Sequence, residues 1–422
     1  MNINLENKKV LLGVTGSISI YKACEVARLF IKAGAKVQVI MSKDAKKFIS
    51  PLTFEALTRT KVLCDDSEDW SSEHNHIGVA KSGDIFIIAP ATANTINKLS
   101  KGVADNILLQ VALAFSGKFL IAPSANTQML NNHFTNGALK MLKVNDCRVI
   151  EPQNKLLACG DEGNGALAKP LEIFYQGAKA LLEEEFWIDR KVVVTGGGTR
   201  EKIDEVRYIS NFSSGKMADS IATALYLKGA DVCYIRTKYN QLPNEIYTID
   251  IDSVDEMLDY TVDAIRVAKK GKMSKTSMNS VDAPHLIQKK PYLFMVSAVS
   301  DFTPKYPQNS KLKKSSIGDS WSIELKSTTD ILSNIDKNGL ITIGFKAEMD
   351  RDSGFDNAKN MLKSKDIDGV CYNLLNSSES FGSDDNAIEF ITQNNSINLG
   401  KKSKMELAFD ILNKSLEIET PL

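Results

Sequence analysis

Two stretches far apart in the chain follow one plan. LFIKAGAKVQVI at 29–40 and LYLKGADVCYI at 225–235 each finish a helical pattern, cross a glycine and enter an apolar strand. Each also follows a buried strand and a glycine turn. Val10 to Val14 runs into Thr15-Gly16-Ser17, and Val192 to Thr195 runs into Gly196-Gly197-Gly198-Thr199. The helical patterns between span Ile20 to Ala33 and, after an inserted loop, Lys216 to Lys228. Strand, turn, helix, strand within ~30 residues is a βαβ unit, whose crossover makes its strands parallel. Further strands are expected at Ile85 to Ala89, Phe119 to Ala122, Tyr292 to Ser297, Leu340 to Phe345 and Gly369 to Tyr372. The predicted fold class is α/β, with two Rossmann-like, doubly wound parallel-sheet domains. Their boundary falls near Leu182-Glu183-Glu184-Glu185, which gives domains 1–186 and 187–422.

Composition narrows the function. Lys+Arg and Asp+Glu balance at 52 each, so no global field draws nucleic acid or an acidic membrane. No apolar run approaches the ~20 residues of a spanning helix, and the opening MNINLENKKVLLGV lacks the pattern of a signal peptide. A cytoplasmic protein is expected. Six cysteines without a CxxC pair and four histidines argue against a protein-borne metal centre. The Lys/Ser/Asn-rich stretch Lys269 to Lys290 reads as loose, solvated loop.

In α/β sheets ligands bind beyond the carboxyl ends of strands. There lie Gly13-Val14-Thr15-Gly16-Ser17, Ala89-Pro90-Ala91-Thr92-Ala93-Asn94-Thr95 and Pro123-Ser124-Ala125-Asn126-Thr127-Gln128-Met129. The first is as much a structural turn as a phosphate loop. Three successive strand ends with small residues, hydroxyls and amides nevertheless suit a flat cofactor with a phosphate tail. A dinucleotide's ribose-binding acid is missing, since Met41-Ser42 ends the second strand, so a mononucleotide such as FMN fits better than NAD. His76 could move a proton near neutral pH, and Cys159 lies in the glycine-laden Ala158 to Gly165. Ser213-Ser214-Gly215-Lys216 looks like the tail of a P-loop. Met217 stands where the magnesium-binding hydroxyl belongs, and Ser210 where the first glycine belongs.

Taken in order, these motifs carry a resemblance. Gly16 to Lys22, Asn75-His76-Ile77, Pro90 to Asn94, Pro123 to Met129 and Ala158-Cys159-Gly160-Asp161 are similar to the flavin-dependent cysteine decarboxylases. Thr195 to Lys216 and Ser297-Ala298-Val299-Ser300-Asp301-Phe302 resemble phosphopantothenate–cysteine ligase. Over nearly the whole chain the sequence resembles the bacterial bifunctional coenzyme A biosynthesis proteins. That implies a flavodoxin-like flavoprotein domain followed by a ligase domain. FMN would lie against Gly16, Ser17, Ser42, Thr92, Ala93, Asn94, Thr95, Ser124 and Met129. His76 would assist oxidation of the cysteinyl thiol of 4'-phosphopantothenoylcysteine and Asn126 would bind the substrate carboxylate. Cys159 would protonate the enethiol left after CO2 departs.

In the ligase half, the resemblance makes Asn211 to Met217 a phosphopantothenate loop. Asn211 would aid attack of the substrate carboxylate on CTP, with Ser213, Ser214 and Gly215 near the substrate phosphate. CTP, carried with Mg2+, would meet Met295, Val296, Ser297, Asp301, Lys311, Thr329, Asp330, Ile331, Leu332, Phe345 and Lys365. Cysteine's amine then displaces CMP. Homo-oligomers are implied, as trimers of one domain and dimers of the other closing into a dodecamer. Three positions depart from the family: Ala125 replaces a methionine, Gly198 a proline and Met361 a triphosphate-binding lysine, with Lys359 or Lys363 able to replace its charge. Competing readings are one live half only, a regulatory flavoprotein without catalysis, and an NAD oxidoreductase. Intact His76, Asn126, Cys159, Asn211 and Lys311 oppose the first, and the short C-terminus from Leu416 opposes the second. The absent GxGxxG opposes the third.

Overall fold

Val10 to Val14 is buried at every residue, which commits it to the middle of a sheet covered on both faces. The computed structural model describes residues 3–156, 160, 162–238, 240–274, 283–313, 320–350, 353–374 and 382–419. The chain divides into two units, one built mainly from Ile3–Leu182 and the other from Glu183–Met273 with Leu286–Leu422.

In the first unit β1 (Lys9–Val14), β2 (Lys36–Met41), β3 (Ile85–Ala91), β4 (Lys118–Pro123) and β5 (Arg148–Val149) form a parallel sheet in the order β2-β1-β3-β4-β5. This is the flavodoxin-like order, whose topological switch point lies between β1 and β3. The helical pattern predicted from Ile20 opens instead with a 3-10 turn at Ile18–Ile20, and the α-helix is Tyr21–Lys32. Its buried face is Ala23, Val26, Ala27 and Phe30, the i, i+3, i+4, i+7 spacing of a helix laid on a sheet. An antiparallel hairpin of β6 (Gln153–Leu156) and β7 (Glu162–Ala166) follows. The Ala158, Cys159 and Asp161 of the expected flap lie outside the described residues.

In the second unit β8 (Lys191–Gly196) is followed by a small antiparallel pair, β9 (Arg200–Lys202) and β10 (Tyr208–Ser210), then by β11 (Asp231–Arg236) and β12 (Tyr247–Asp250). β13 (Lys272–Met273) and β14 (Leu286–Ile287) pair antiparallel where only loose loop was expected, and residues 275–282 between them lie outside the described residues. β15 (Tyr292–Met295) precedes a second small antiparallel pair, β16 (Phe302–Pro304) and β17 (Leu325–Ser327), before β18 (Ile341–Glu348) and β19 (Gly369–Leu374). β20 (Asp385–Thr392) and β21 (Ser396–Ser403) close the main sheet, whose order is β12-β11-β8-β15-β18-β19-β20-β21.

The sheet is parallel from β12 to β19, as expected of a doubly wound domain, and carries an antiparallel edge beyond. The reason is local. Thr392 and Asn395 close a tight turn, with Thr392 N–H donating to Asn395 O at 2.8 Å, and a turn that short can only join antiparallel strands. Half-buried strands alternate rather than run apolar, so a search for apolar runs passes over them. Between Ala387 and Glu389 the register slips, a bulge of the kind that re-aims side chains.

Candidate functional sites

A cavity of about 780 Å³ opens at the switch point of the first sheet. Thr15 directly follows β1, its hydroxyl donating to Pro90 O at 2.7 Å and accepting from Thr92 N–H at 3.1 Å, which ties the β1 and β3 ends together. Ser17, Ser19 and Ser124 bring three hydroxyls into one cluster, at 2.9 Å between Ser17 and Ser19 and 2.7 Å between Ser19 and Ser124. Beside them Thr92 caps helix Ala93–Ser100, and its hydroxyl lies 3.0 Å from that of Thr95. Asn126 caps helix Thr127–Asn131 through its side-chain oxygen, 2.8 Å from Gln128 N–H. Hydroxyls and free N–H groups at helix starts suit a phosphate, and no acid is among the capping groups. Gly16 keeps the floor open, because a Cβ there would lie 2.7 Å from Asp44 Cβ.

Every position expected to meet the flavin, namely Gly16, Ser17, Ser42, Thr92, Ala93, Asn94, Thr95, Ser124 and Met129, lines this cavity, as does Asn126. Ala125 lines it too. Ser19 and Lys22 also line it, from within the Gly16 to Lys22 motif but without an expected role, whereas Lys98 and Lys155 were missed and read as ordinary helix or loop polar residues. Burial pushes the Lys22 ammonium below its ordinary pKa, and Lys155 adds to the shift.

His76 is not in this lining. It opens helix His76–Ser82, capped by Asn75, rather than standing in a loop. Its Nδ1 is 2.7 Å from Glu68 Oε1, which also accepts its backbone N–H at 3.1 Å. The carboxylate holds the ring in place through Nδ1. Trp70 packs edge-on to the ring at 5.3 Å and is 67% exposed. Glu68, eight residues upstream, has no sequence signal beyond its charge.

The second unit has a cavity of about 510 Å³ lined by residues that follow β15 and by the loop before helix Lys216–Leu227, in a sheet whose strand order reverses between β8 and β15. Its floor is a zipper between two strand ends. Ala298 N–H donates to Gly197 O at 2.8 Å, Thr195 and Ser297 hydroxyls meet at 2.9 Å, and Ser300 N–H donates to Thr199 Oγ1 at 2.9 Å. Gly197 makes the turn at φ +85°, a left-handed conformation that glycine adopts without strain. Asn211 Nδ2 donates to Val299 O at 2.7 Å and pins the Asn211 to Gly215 loop to this floor. Gly215, at φ +74°, then starts helix Lys216–Leu227.

Asn211, Ser213, Ser214, Gly215, Val296, Ser297, Asp301 and Phe345 line this cavity together. Met295 is buried below it, with its sulfur accepting from Thr195 Oγ1 at 3.1 Å. Lys311, Thr329, Asp330, Ile331, Leu332 and Lys365 are not in the lining. Asp330 instead caps helix Ile331–Asn334 and pairs with Lys365. Burial works to raise the Asp330 carboxyl, but the Lys365 and Ser333 hydrogen bonds hold it below the usual carboxylate range. Ile331 and Leu332 are core residues. Lys311 is exposed, next to Leu312, whose N–H Asp204 accepts and whose carbonyl Arg207 bonds. Met361 packs against the β18 core, where a Cβ on Gly344 would lie 2.8 Å from its methyl, so an apolar residue suits that place. Missed from sequence were Lys346, Asn373, Asn386, Ile388 and Lys404. Among the described residues no group of three or more His, Cys, Asp or Glu is placed to hold a metal, and no helix is long and apolar enough to cross a membrane.

The first unit therefore has the sheet order and the phosphate-ready strand ends of a flavin mononucleotide-binding protein, and the second a strand-end cavity of its own. Comparison with known proteins agrees. A family model described as Flavoprotein matches residues 2–179, and one described as DNA/pantothenate metabolism flavoprotein C-terminal domain matches 187–273 and 261–418. The coenzyme A biosynthesis bifunctional protein CoaBC of Haemophilus influenzae is 33% identical over 98% of this chain and 98% of its own length. That of Bacillus subtilis is 34% identical over 97% and 96%. A cysteine/cysteine sulfinic acid decarboxylase from an unknown prokaryotic organism is 33% identical over 88% of this chain and 99% of its own. The chain belongs to the bifunctional coenzyme A biosynthesis family, enzymes with a decarboxylase half and a ligase half in one polypeptide.

Proposed function

We propose that the second unit joins 4'-phosphopantothenate to cysteine at the expense of CTP, and that the first decarboxylates the product to 4'-phosphopantetheine. The observation that carries this reading is the pair of strand-end cavities, one built of hydroxyls and helix starts and the other floored by the Thr195–Ser297 zipper. In the ligase reaction a substrate carboxylate oxygen attacks the α-phosphorus of CTP and pyrophosphate leaves with the broken P–O bond. Cysteine's amine then attacks the acyl carbon, CMP departs with the carboxylate oxygen, and the nitrogen loses a proton. Ser213, Ser214 and Gly215 would receive the substrate phosphate and Asn211 would orient the carboxylate. Mg2+ arrives with the nucleotide as part of the substrate.

In the first unit FMN is the cofactor, with Ser17, Ser19, Ser124, Thr92 and Thr95 as the residues that would hold its phosphate end. When bound, FMN supplies the two-electron redox chemistry at the substrate's thiol-bearing carbon. Asn126 donates its amide to the substrate carboxylate, and Cys159 returns a proton to carbon after CO2 leaves. His76, oriented by Glu68, accepts the thiol proton at Nε2. Because His76 is absent from its own chain's cavity, it acts in the cavity of a neighbouring copy within a trimer, with exposed Trp70 at the contact. Mixed oligomers of His76→Asn and Asn126→Asp chains, each inactive alone, should then recover roughly a quarter of the wild-type decarboxylase rate. No recovery on mixing would return His76 to its own chain.

Mass spectrometry after incubating the purified protein with 4'-phosphopantothenate, cysteine, CTP and magnesium tests the whole scheme. Appearance of 4'-phosphopantetheine and CMP is expected. A halt at phosphopantothenoylcysteine would remove the decarboxylase role. Conversion of free cysteine to cysteamine without CTP would favour the chemistry named for the third relative instead.

A further inference from the structure

Lys404 is placed against three ordinary preferences at once. It opens helix Lys404–Glu419, where the helix dipole is positive and a cation is unfavourable. It is only 6% exposed, although burying an ammonium is costly unless it is neutralised. A second ammonium, Lys216, lies near enough to depress its pKa further after burial has lowered it. Lysines are normally kept out of such places.

Its neutralisation within the chain is incomplete. The Nζ donates to the Ser383 carbonyl oxygen, and among the described residues Lys404 forms no ion pair. Asp384 and Asp385 act on it at longer range, but Asp384 is engaged by Lys216 at 2.6 Å. The other lining lysine, Lys346, pairs with Glu348 at 3.2 Å. Lys404 itself lines the second cavity beside neutral donors, Ser213, Ser214, Asn373 and Asn386. Asp301 is the one acid in that lining, and among the described residues it forms no ion pair with Lys404, so the buried cation is left to an incoming anion; of the anions the proposed reaction brings, the phosphates carry the most charge.

We infer that Lys404 is a phosphate-binding residue of the ligase cavity, its ammonium completing the coordination of either the phosphate monoester of phosphopantothenate or the triphosphate of CTP. The inference rests on the ligase reading of the second unit. It would make Lys404 a binding residue distinct from Lys311 and Lys365, which lie outside the cavity lining.

Steady-state kinetics of the full-length protein test it. Lys404→Met should raise the KM for one phosphorylated substrate roughly ten- to a hundredfold, with little change in the KM for cysteine. Lys404→Arg should restore most of the loss. A shift confined to phosphopantothenate, together with loss of the preference for it over unphosphorylated pantothenate, assigns the monoester; a shift confined to CTP assigns the triphosphate. Unchanged KM values for both, or an equal rise in the KM for cysteine, overturn the inference while leaving the ligase reading intact. A wild-type protein that forms no phosphopantothenoylcysteine overturns the ligase reading itself. If Lys404→Met does not accumulate in soluble form, Lys404→Gln takes its place with the same readouts.

Discussion

Changing Asn126 to aspartate is expected to stop the full protein at phosphopantothenoylcysteine. The substitution is chosen for what it keeps. Asn126 Oδ1 accepts Gln128 N–H at 2.8 Å and starts helix Thr127–Asn131, and an aspartate oxygen can do the same. What is lost is the amide donor, and what is added is a negative charge facing the proposed position of the substrate carboxylate. Removing one such donor costs roughly 10²- to 10³-fold in rate, and like-charge repulsion adds to it. Decarboxylation of supplied phosphopantothenoylcysteine should therefore fall at least that far. The visible absorbance of bound flavin and the rate of CTP-dependent ligation should stay at wild-type levels. Loss of flavin along with activity would show Asn126 to be a scaffold residue instead.

Asn211→Asp is the mirror experiment, with a comparable effect on the other half. Asn211 Nδ2 donates to Val299 O at 2.7 Å and holds the Asn211 to Gly215 loop over the cavity floor. A carboxylate cannot donate there. It would face a carbonyl oxygen, release the loop and repel both the substrate carboxylate and the nucleotide phosphates. Pyrophosphate release from CTP should fall by roughly 10² or more, while supplied phosphopantothenoylcysteine is still decarboxylated at the normal rate. A parallel fall in both activities would point to general misfolding of the variant and remove Asn211 from the ligase chemistry.

How far these sites can be read without coordinates depends on where each residue stands along the chain. Ser17, Thr92, Ser124 and Asn126 follow apolar strands directly, so the ordinary rule for α/β sheets places them at one end of the molecule. The same holds for Val296, Ser297 and the Asn211 loop. Glu68, Lys346, Asn386 and Lys404 carry no such signal. Asn386 and Ile388 come to the cavity on an antiparallel strand with a bulge, features set by pairing partners rather than by local composition. Lys404 begins an amphipathic pattern and reads as a surface cation until burial is known. Asp330 and Lys365, which the resemblance places at the nucleotide, also pair with each other, a contact between residues 35 apart that neither position signals alone. Local patterns identify strand ends well. They say little about which charges meet across a sheet.

The two hydroxyl contacts that pin the cavities have a bearing on synthesis. Ser17 and Ser124 are 107 residues apart, and Thr195 and Ser297 are 102. Each cavity floor thus closes only when its sheet has threaded from β1 to β4 or from β8 to β15, so neither can exist on a short nascent fragment. During translation the amino-terminal half becomes complete first and can fold ahead of the other, as sequential domains generally do. A chain ending after the first half would contain every residue that lines the first cavity and none that lines the second. Enzymatic output at either site thereby reports that long-range assembly of that half has finished.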